Sequence, residues 1–135
     1  MSENLVAHTT FLVVIADDHE MMRRGMRSVL ESRGDVDIRE VANGIDAIEK
    51  TKELKPDLVI LDVSMPLLDG FTAAREIKKV APDTPILIVS LDRTDAFVQV
   101  ARKIGVNGYL IKTDCSKTLL KAVDTVLRNE TFFPL

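Results

Sequence analysis

Four short apolar runs, spaced by stretches long enough for a helix, constrain this chain more than any other feature. They are Phe11-Leu12-Val13-Val14-Ile15-Ala16, Leu58-Val59-Ile60-Leu61, Ile86-Leu87-Ile88-Val89 and Tyr109-Leu110-Ile111. Each is followed at once by a polar side chain: Asp17-Asp18, Asp62, Ser90 and Lys112. Such runs read as buried strands. Strands that alternate with helices build a parallel sheet covered on both faces. In an open sheet of this kind ligands bind in the crevice outside the carboxyl ends of the strands. Three carboxylates, one hydroxyl and one ammonium are therefore expected at one site, although they lie far apart in the chain.

The pattern predicts five strand–helix units. Strand one covers 11–16 and helix one 20–32, with Met22, Met26, Val29 and Leu30 on one face and Gly34 beyond its end. A weaker, alternating strand at 38–42 belongs at a sheet edge. Helix two covers 44–54 and stops at Lys55-Pro56. Strand three is 58–61, and Asp69 is a fair N-cap for helix three at 70–80. Strand four is 86–89, helix four 94–103 and strand five 107–111. Ser116 is the expected cap of helix five, 117–129, whose Leu119, Leu120, Val123, Val126 and Leu127 form the buried stripe.

A length of 135 residues suits one domain, with a core large enough to fold without disulfide or metal. Cys115 is the single cysteine, so no internal disulfide is available and a reducing, cytoplasmic setting is expected. No apolar run approaches membrane-spanning length, so no membrane contact is expected. Residues 1–10 form a polar lead-in without the pattern of a signal peptide. Net charge is −3 and the basic residues are scattered, which argues against a nucleic-acid surface in this segment.

The polar residues suggest their own chemistry. Asp17, Asp18 and Asp62 clustered together would repel, and Mg²⁺ suits an all-oxygen site. Adjacent acids also suit the N-cap region of helix one. A carboxylate such as Asp62 can accept a phosphoryl group as a mixed anhydride, or it can simply open a turn. Ser90 can donate to a phosphoryl oxygen or begin a loop. Lys112 closes an apolar strand, which places its charge in the crevice unless it snorkels to the surface. Tyr109 alone reads as a half-buried strand aromatic. His8 reads as solvated. His19 reads as a surface residue of helix one, since neutral imidazole is a poor Mg²⁺ ligand. Cys115 reads as a small filler.

Taken together these residues carry a resemblance. The motifs Val14-Ile15-Ala16-Asp17-Asp18-His19, Asp62-Val63-Ser64-Met65-Pro66-Leu67-Leu68-Asp69-Gly70, Val89-Ser90 and Gly108-Tyr109-Leu110-Ile111-Lys112 resemble the receiver domains of two-component response regulators. The likeness covers about residues 10–130. Asp17-Asp18-His19, Arg23-Arg24-Gly25 and Thr131-Phe132-Phe133-Pro134 further resemble the NarL/FixJ (LuxR-type) branch.

The resemblance implies a flavodoxin-like, doubly wound (βα)5 fold with strand order 2-1-3-4-5, an order that is familiar from this fold group. It implies Asp62 as phospho-acceptor and Mg²⁺ held by Asp17, Asp18, Asp62 and the main-chain carbonyl of Ser64. Lys112 would pair with the phosphoryl oxygens, while Ser90 and Tyr109 would form the switch pair. The implied donor is a sensor histidine kinase, and the chain acts as an acceptor rather than an enzyme on a separate substrate. The expected division is a polar extension at 1–10, a receiver at 11–130 and the start of a linker at 131–135. DNA contact is expected only through a helix-turn-helix output domain absent from this chain. The family often has a cis bond after this lysine, so a cis Lys112–Thr113 peptide is expected. Helix four carries Phe97, Val98, Val100 and Ala101, more apolar surface than one stripe needs, which suggests a partner or homodimer contact beside the switch face. Leu91 stands where the family usually has a small residue, and it could restrict attacking water or the donor.

Three other readings compete. An aspartate-nucleophile phosphatase wants an Asp-x-Asp pattern after strand one, whereas here the acids are adjacent. An FMN carrier wants a Gly/Ser/Thr-rich phosphate loop there, and Asp-Asp-His-Glu would repel a phosphate without metal. A degenerate receiver would lack part of the acidic set, which is complete here.

Overall fold

The computed structural model describes residues 10–134. The lead-in at 1–9, including His8, and Leu135 lie outside the described residues. The elements alternate in sequence: β1 (Phe11–Ala16), α1 (Glu20–Glu31), β2 (Val36–Val41), α2 (Gly44–Leu54), β3 (Leu58–Asp62), α3 (Gly70–Val80), β4 (Ile86–Ser90), α4 (Asp95–Ile104), β5 (Gly108–Ile111) and α5 (Cys115–Leu127). The five strands form one sheet in the order β2-β1-β3-β4-β5, all neighbours parallel. This is the expected flavodoxin-like, doubly wound order.

Alternation along the strands creates two cores. Val14, Ala16, Val59, Leu61, Ile86, Ile88 and Tyr109 face α2, α3 and α4, where Ala47, Ala73, Ala74, Ile77, Val98 and Ala101 meet them. Val13, Ile15, Leu58, Ile60, Leu87, Val89 and Leu110 face α1 and α5, meeting Met26, Leu30, Leu119, Val123 and Val126. The edge strand β2 keeps the half-buried alternation its sequence implies. No helix among the described residues is long and apolar enough to cross a membrane.

Several boundaries differ from expectation. β2 runs over Val36–Val41 rather than 38–42, because it pairs with β1 from Phe11↔Val36 to Ala16↔Val41. β3 and β4 each run one residue further than their apolar runs, so Asp62 and Ser90 are strand residues, paired as Asp62↔Val89 and Ser90↔Ile111. Helix five begins at Cys115, and Ser116 is therefore inside it rather than capping it. The cause is a 3-10 turn at Lys112–Asp114, which feeds directly into the helix through Cys115 N–H donating to the Lys112 carbonyl. The Lys112–Thr113 peptide is trans, contrary to the expected cis bond. Thr113 is not proline, so cis would cost about 3–4 kcal/mol. The turn aims the lysine into the crevice without it.

On α4, Val98 and Ala101 are buried, while Phe97 packs edge-on against Phe71 of α3, with ring centroids 5.5 Å apart. Phe97 is therefore largely occupied within the fold. Beyond α5 the chain turns at Asn129 and comes alongside β5. Tyr109 N–H donates to the Phe132 carbonyl at 2.8 Å, and Phe132 N–H to the Asn107 carbonyl at 3.0 Å. Phe132 packs into the α1/α5 core and Phe133 into the opposite one, with the Arg102 guanidinium 4.1 Å above the Phe133 ring. Gly108 is required here, since a Cβ on it would stand 2.8 Å from the Phe132 carbonyl oxygen.

Candidate functional site

Parallel strands deliver their carboxyl ends to one edge, and the residues that end the apolar runs meet there. Lys112 Nζ lies 3.0 Å from Asp17 Oδ2 and 3.2 Å from Asp62 Oδ1. The lysine side chain is only 8% exposed, so its charge is inside the crevice and not at the surface. Asp17 is fully buried and Asp62 is 3% exposed, whereas Asp18 is exposed at the rim. The crevice beside them is lined by His19, Asp62, Ser64, Ser90, Leu91 and Lys112.

One ammonium faces two buried carboxylates, and the electrostatics follow from that imbalance. Burial, and then the nearby Asp17 charge, push the Asp62 carboxyl up to about 6, with Lys112 and the Ser64 backbone N–H pulling the other way. The two acids hold Lys112 above its ordinary value against the cost of burial. Asp62 Oδ2 has no hydrogen-bond partner among the described residues, and neither has Asp17 Oδ2. The Lys112 ammonium meets Asp17 Oδ2 as an ion pair at 3.0 Å, which leaves Asp62 Oδ2 as the oxygen without a cation beside it. Buried oxygens without donors ask for one. Asp17, Asp18, His19 and Asp62 can present ligand atoms all within 4.8 Å of one another. The acidic cluster could hold a metal ion, and its carboxylate oxygens suit a hard cation.

His19 is a surface residue at the start of helix one, as expected, and it also meets the acid pair. It is the N-cap residue of α1, and its exposed ring sits over the acid pair, Nδ1 being 3.3 Å from Asp17 Oδ1 and 3.4 Å from Asp18 Oδ1. Its backbone N–H donates to Asp17 Oδ1 at 2.9 Å. Asp17 therefore serves the helix start and the crevice together, combining the two readings its sequence position left open. Cys115 is buried, and burial pushes its thiol up to about 11, as befits a filler and not a nucleophile.

Ser90 and Tyr109 meet through a residue that sequence reasoning missed. Asp92 N–H donates to Ser90 Oγ at 3.0 Å, and the Tyr109 hydroxyl donates to the Asp92 carbonyl at 2.6 Å. Asp92 Oδ1 in turn accepts from Thr94 N–H at 2.7 Å. Tyr109 is fully buried rather than half-buried, its ring already inside the fold. Leu91 projects at the mouth, 69% exposed. The motif Asp69-Gly70 supports Asp62 from below. Asp69 Oδ1 caps α3 by accepting from Thr72 N–H at 2.9 Å. Gly70 donates its N–H to Val63 at 2.8 Å, and its Cα packs against the Asp62 carbonyl so closely that no Cβ fits.

This arrangement has clear relatives. Residues 13–124 match the family model of the response regulator receiver domain. The chain is 36% identical over 115 residues to the transcriptional regulatory protein LnrK of Bacillus subtilis, covering 84% of this chain and 52% of that protein. It is 38% identical over 125 residues to the response regulator protein VraR of Staphylococcus aureus, covering 92% of this chain and 60% of that protein. The chain thus spans between 52% and 60% of the length of these curated relatives. The crystal structure of a two-component response regulator of the LuxR family from Aurantimonas sp. superposes with a TM-score of 0.87 at 28% identity, covering 92% of this chain and 89% of that one. The parallel sheet, the acids and lysine at its carboxyl edge and these matches all agree: the chain belongs to the response regulator receiver domain family, NarL/LuxR branch, and is the receiver domain of a two-component response regulator.

Proposed function

We propose that Asp62 accepts a phosphoryl group from the phosphohistidine of a sensor kinase. The observation that carries this reading is the buried Asp62 Oδ2, which has no hydrogen-bond partner among the described residues, while Lys112 holds Asp62 Oδ1 and Asp17 Oδ2 beside it. In the transfer a carboxylate oxygen of Asp62 bonds to phosphorus, the P–N bond to the donor imidazole breaks, and the imidazole leaves with that bond pair. A mixed anhydride remains on Asp62. Attack by water at phosphorus later returns the carboxylate and inorganic phosphate. The chain is thus an acceptor that assists its own phosphorylation and dephosphorylation, with no separate substrate to turn over.

Asp17, Asp18, Asp62 and the Ser64 carbonyl would hold Mg²⁺, which when bound neutralises negative charge on the transferring group. Lys112 orients and neutralises a phosphoryl oxygen from the opposite side. The Ser90 hydroxyl would leave Asp92 N–H to donate to the phosphoryl group. Since Asp92 also holds the Tyr109 hydroxyl, that exchange would disturb the α4, β5 and α5 surface. The mechanism is a population shift, driven by contacts that exist only in the phosphorylated state. In the full-length protein we assign this switch to the control of a DNA-binding output domain, in the cytoplasm, with phosphorylation-linked homodimerisation as the second consequence. The LnrK relative is a transcriptional regulatory protein, which supports that assignment.

Acetyl phosphate with Mg²⁺ should add one phosphoryl mass to the wild type and none to Asp62→Ala. Asp18→Ala should lose both metal binding and labelling while keeping its metal-free stability. Label that survives Asp62→Ala would assign the acceptor elsewhere. Beryllofluoride, a phosphoryl mimic, should move amide resonances from Ser90 through Asp92 to Tyr109 and α4. Shifts confined to residues lining the crevice would leave an acceptor without the switch.

A further inference from the structure

We propose that Arg23 is a positioning residue of the metal site: it holds the Asp17–Asp18 peptide in place, with Glu40 on β2 as its anchor. The inference rests on the reading of the acidic cluster as a Mg²⁺ site. Arg23 Nη1 donates to the Asp17 carbonyl at 2.7 Å, and its Nε donates to Glu40 Oε1 at 2.7 Å. One planar guanidinium thus spans a main-chain carbonyl of the site and a carboxylate on the neighbouring strand. Glu40 is set beside the end of β1 by the register Ile15↔Glu40, and its second oxygen accepts from Arg27 Nη1 at 2.7 Å. The two arginines hold Glu40 below the usual carboxylate range, so the anchor stays ionised.

An ordinary surface ion pair would not look like this. Arg24, the next residue, is 72% exposed and among the described residues pairs with Glu20 alone, whereas the Arg23 side chain is 17% exposed. The Asp17 carbonyl and the Asp18 nitrogen share one rigid peptide plane. Asp17 is already tied down by its N–H to the Val41 carbonyl at 3.1 Å and by Oδ1 to His19 N–H at 2.9 Å. Among the described residues Asp18 has no such ties, apart from the His19 ring beside it. The direction of its carboxylate depends on how the preceding peptide is held, and Arg23 fixes that peptide. Groups behind metal ligands commonly set affinity by a factor of about 10–100.

The sign of the effect separates positioning from simple charge. Removing a cation close to a Mg²⁺ site should tighten binding if relief of Coulomb repulsion alone mattered. Positioning predicts the reverse. Mg²⁺ titrations of the protein, followed by amide NMR, should show a dissociation constant about tenfold higher in Arg23→Ala. Arg23→Lys should recover part of the loss, since an ammonium reaches one acceptor but not both. Arg24→Ala should match the wild type. In the metal-free protein, exchange of the His19 amide should quicken in Arg23→Ala and not in Arg24→Ala. Tighter or unchanged Mg²⁺ binding in Arg23→Ala, or unaltered His19 exchange, would overturn the proposal. A wild type that binds no Mg²⁺ would overturn the metal reading of the site, and the exchange comparison would still decide the role of Arg23.

Discussion

Asp62 is an acid held where its charge is disfavoured, and its pH dependence follows. Its carboxyl stands at about 6 in the folded protein against an ordinary 3.8. A raised folded value means the native state binds more protons than the unfolded chain between those limits. The stabilising contribution is complete below about pH 4 and is lost as pH rises through about 6. Above that range the metal-free protein carries a penalty of order 3 kcal/mol, since each tenfold in proton affinity is worth about 1.4 kcal/mol. Asp62→Asn should therefore raise metal-free stability at pH 7.5 by about 1–3 kcal/mol in urea melts, with no gain at pH 4. An equal gain at both pH values would show that the charge is not the cause. At this scale the primary structure disclosed Asp17, Asp62, Ser90 and Lys112, because each follows or ends an apolar run. It did not disclose Asp92, Glu40 or the part played by Arg23. Those act through loop conformation and cross-element contacts that no local spacing encodes.

At the scale of elements, periodicity located the five strands and five α-helices of the described residues, and the misses were at the ends and at the 3-10 turn after Lys112. Helix five starts early because the chain after Lys112 keeps coiling as a 3-10 turn, a choice made by tertiary aiming of the lysine and not by Ser116. Glycines mark where elements touch. Gly70 begins α3 against the Asp62 carbonyl, and a Cβ there would also stand 2.9 Å from Val63 Cα. Neither neighbour is a flexible side-chain tip. Gly70→Ala should cost about 2–4 kcal/mol and, on the proposed function, slow phosphorylation by shifting Asp62. Gly25 lies mid-helix in α1 with nothing within 4 Å of its missing Cβ. Gly25→Ala should stabilise by about 0.5–1 kcal/mol. Thermal unfolding of the two variants side by side checks both; similar shifts would mean that the close approach at Gly70 yields easily.

For the molecule as a whole, one sheet with a core on each face leaves only its two edges to manage. β2 places the charged Asp37 and Arg39 in solvent, which discourages pairing with another chain. β5 has no such charges, and residues 131–134 cover part of its edge instead. Ending the chain after Glu130 should strip the Tyr109 N–H and Asn107 carbonyl of their partners and uncover both phenylalanine sites. The shortened protein should lose about 2–4 kcal/mol in denaturant melts and self-associate in sedimentation velocity; an equally stable monomer would show that the segment merely rests there. Its pairing with β5 is parallel, so the chain leaves Pro134 running toward the same edge that carries Asp62. A pull on that end would load the two Phe132 hydrogen bonds together, like a lap joint, and would carry tension into the strand at Tyr109.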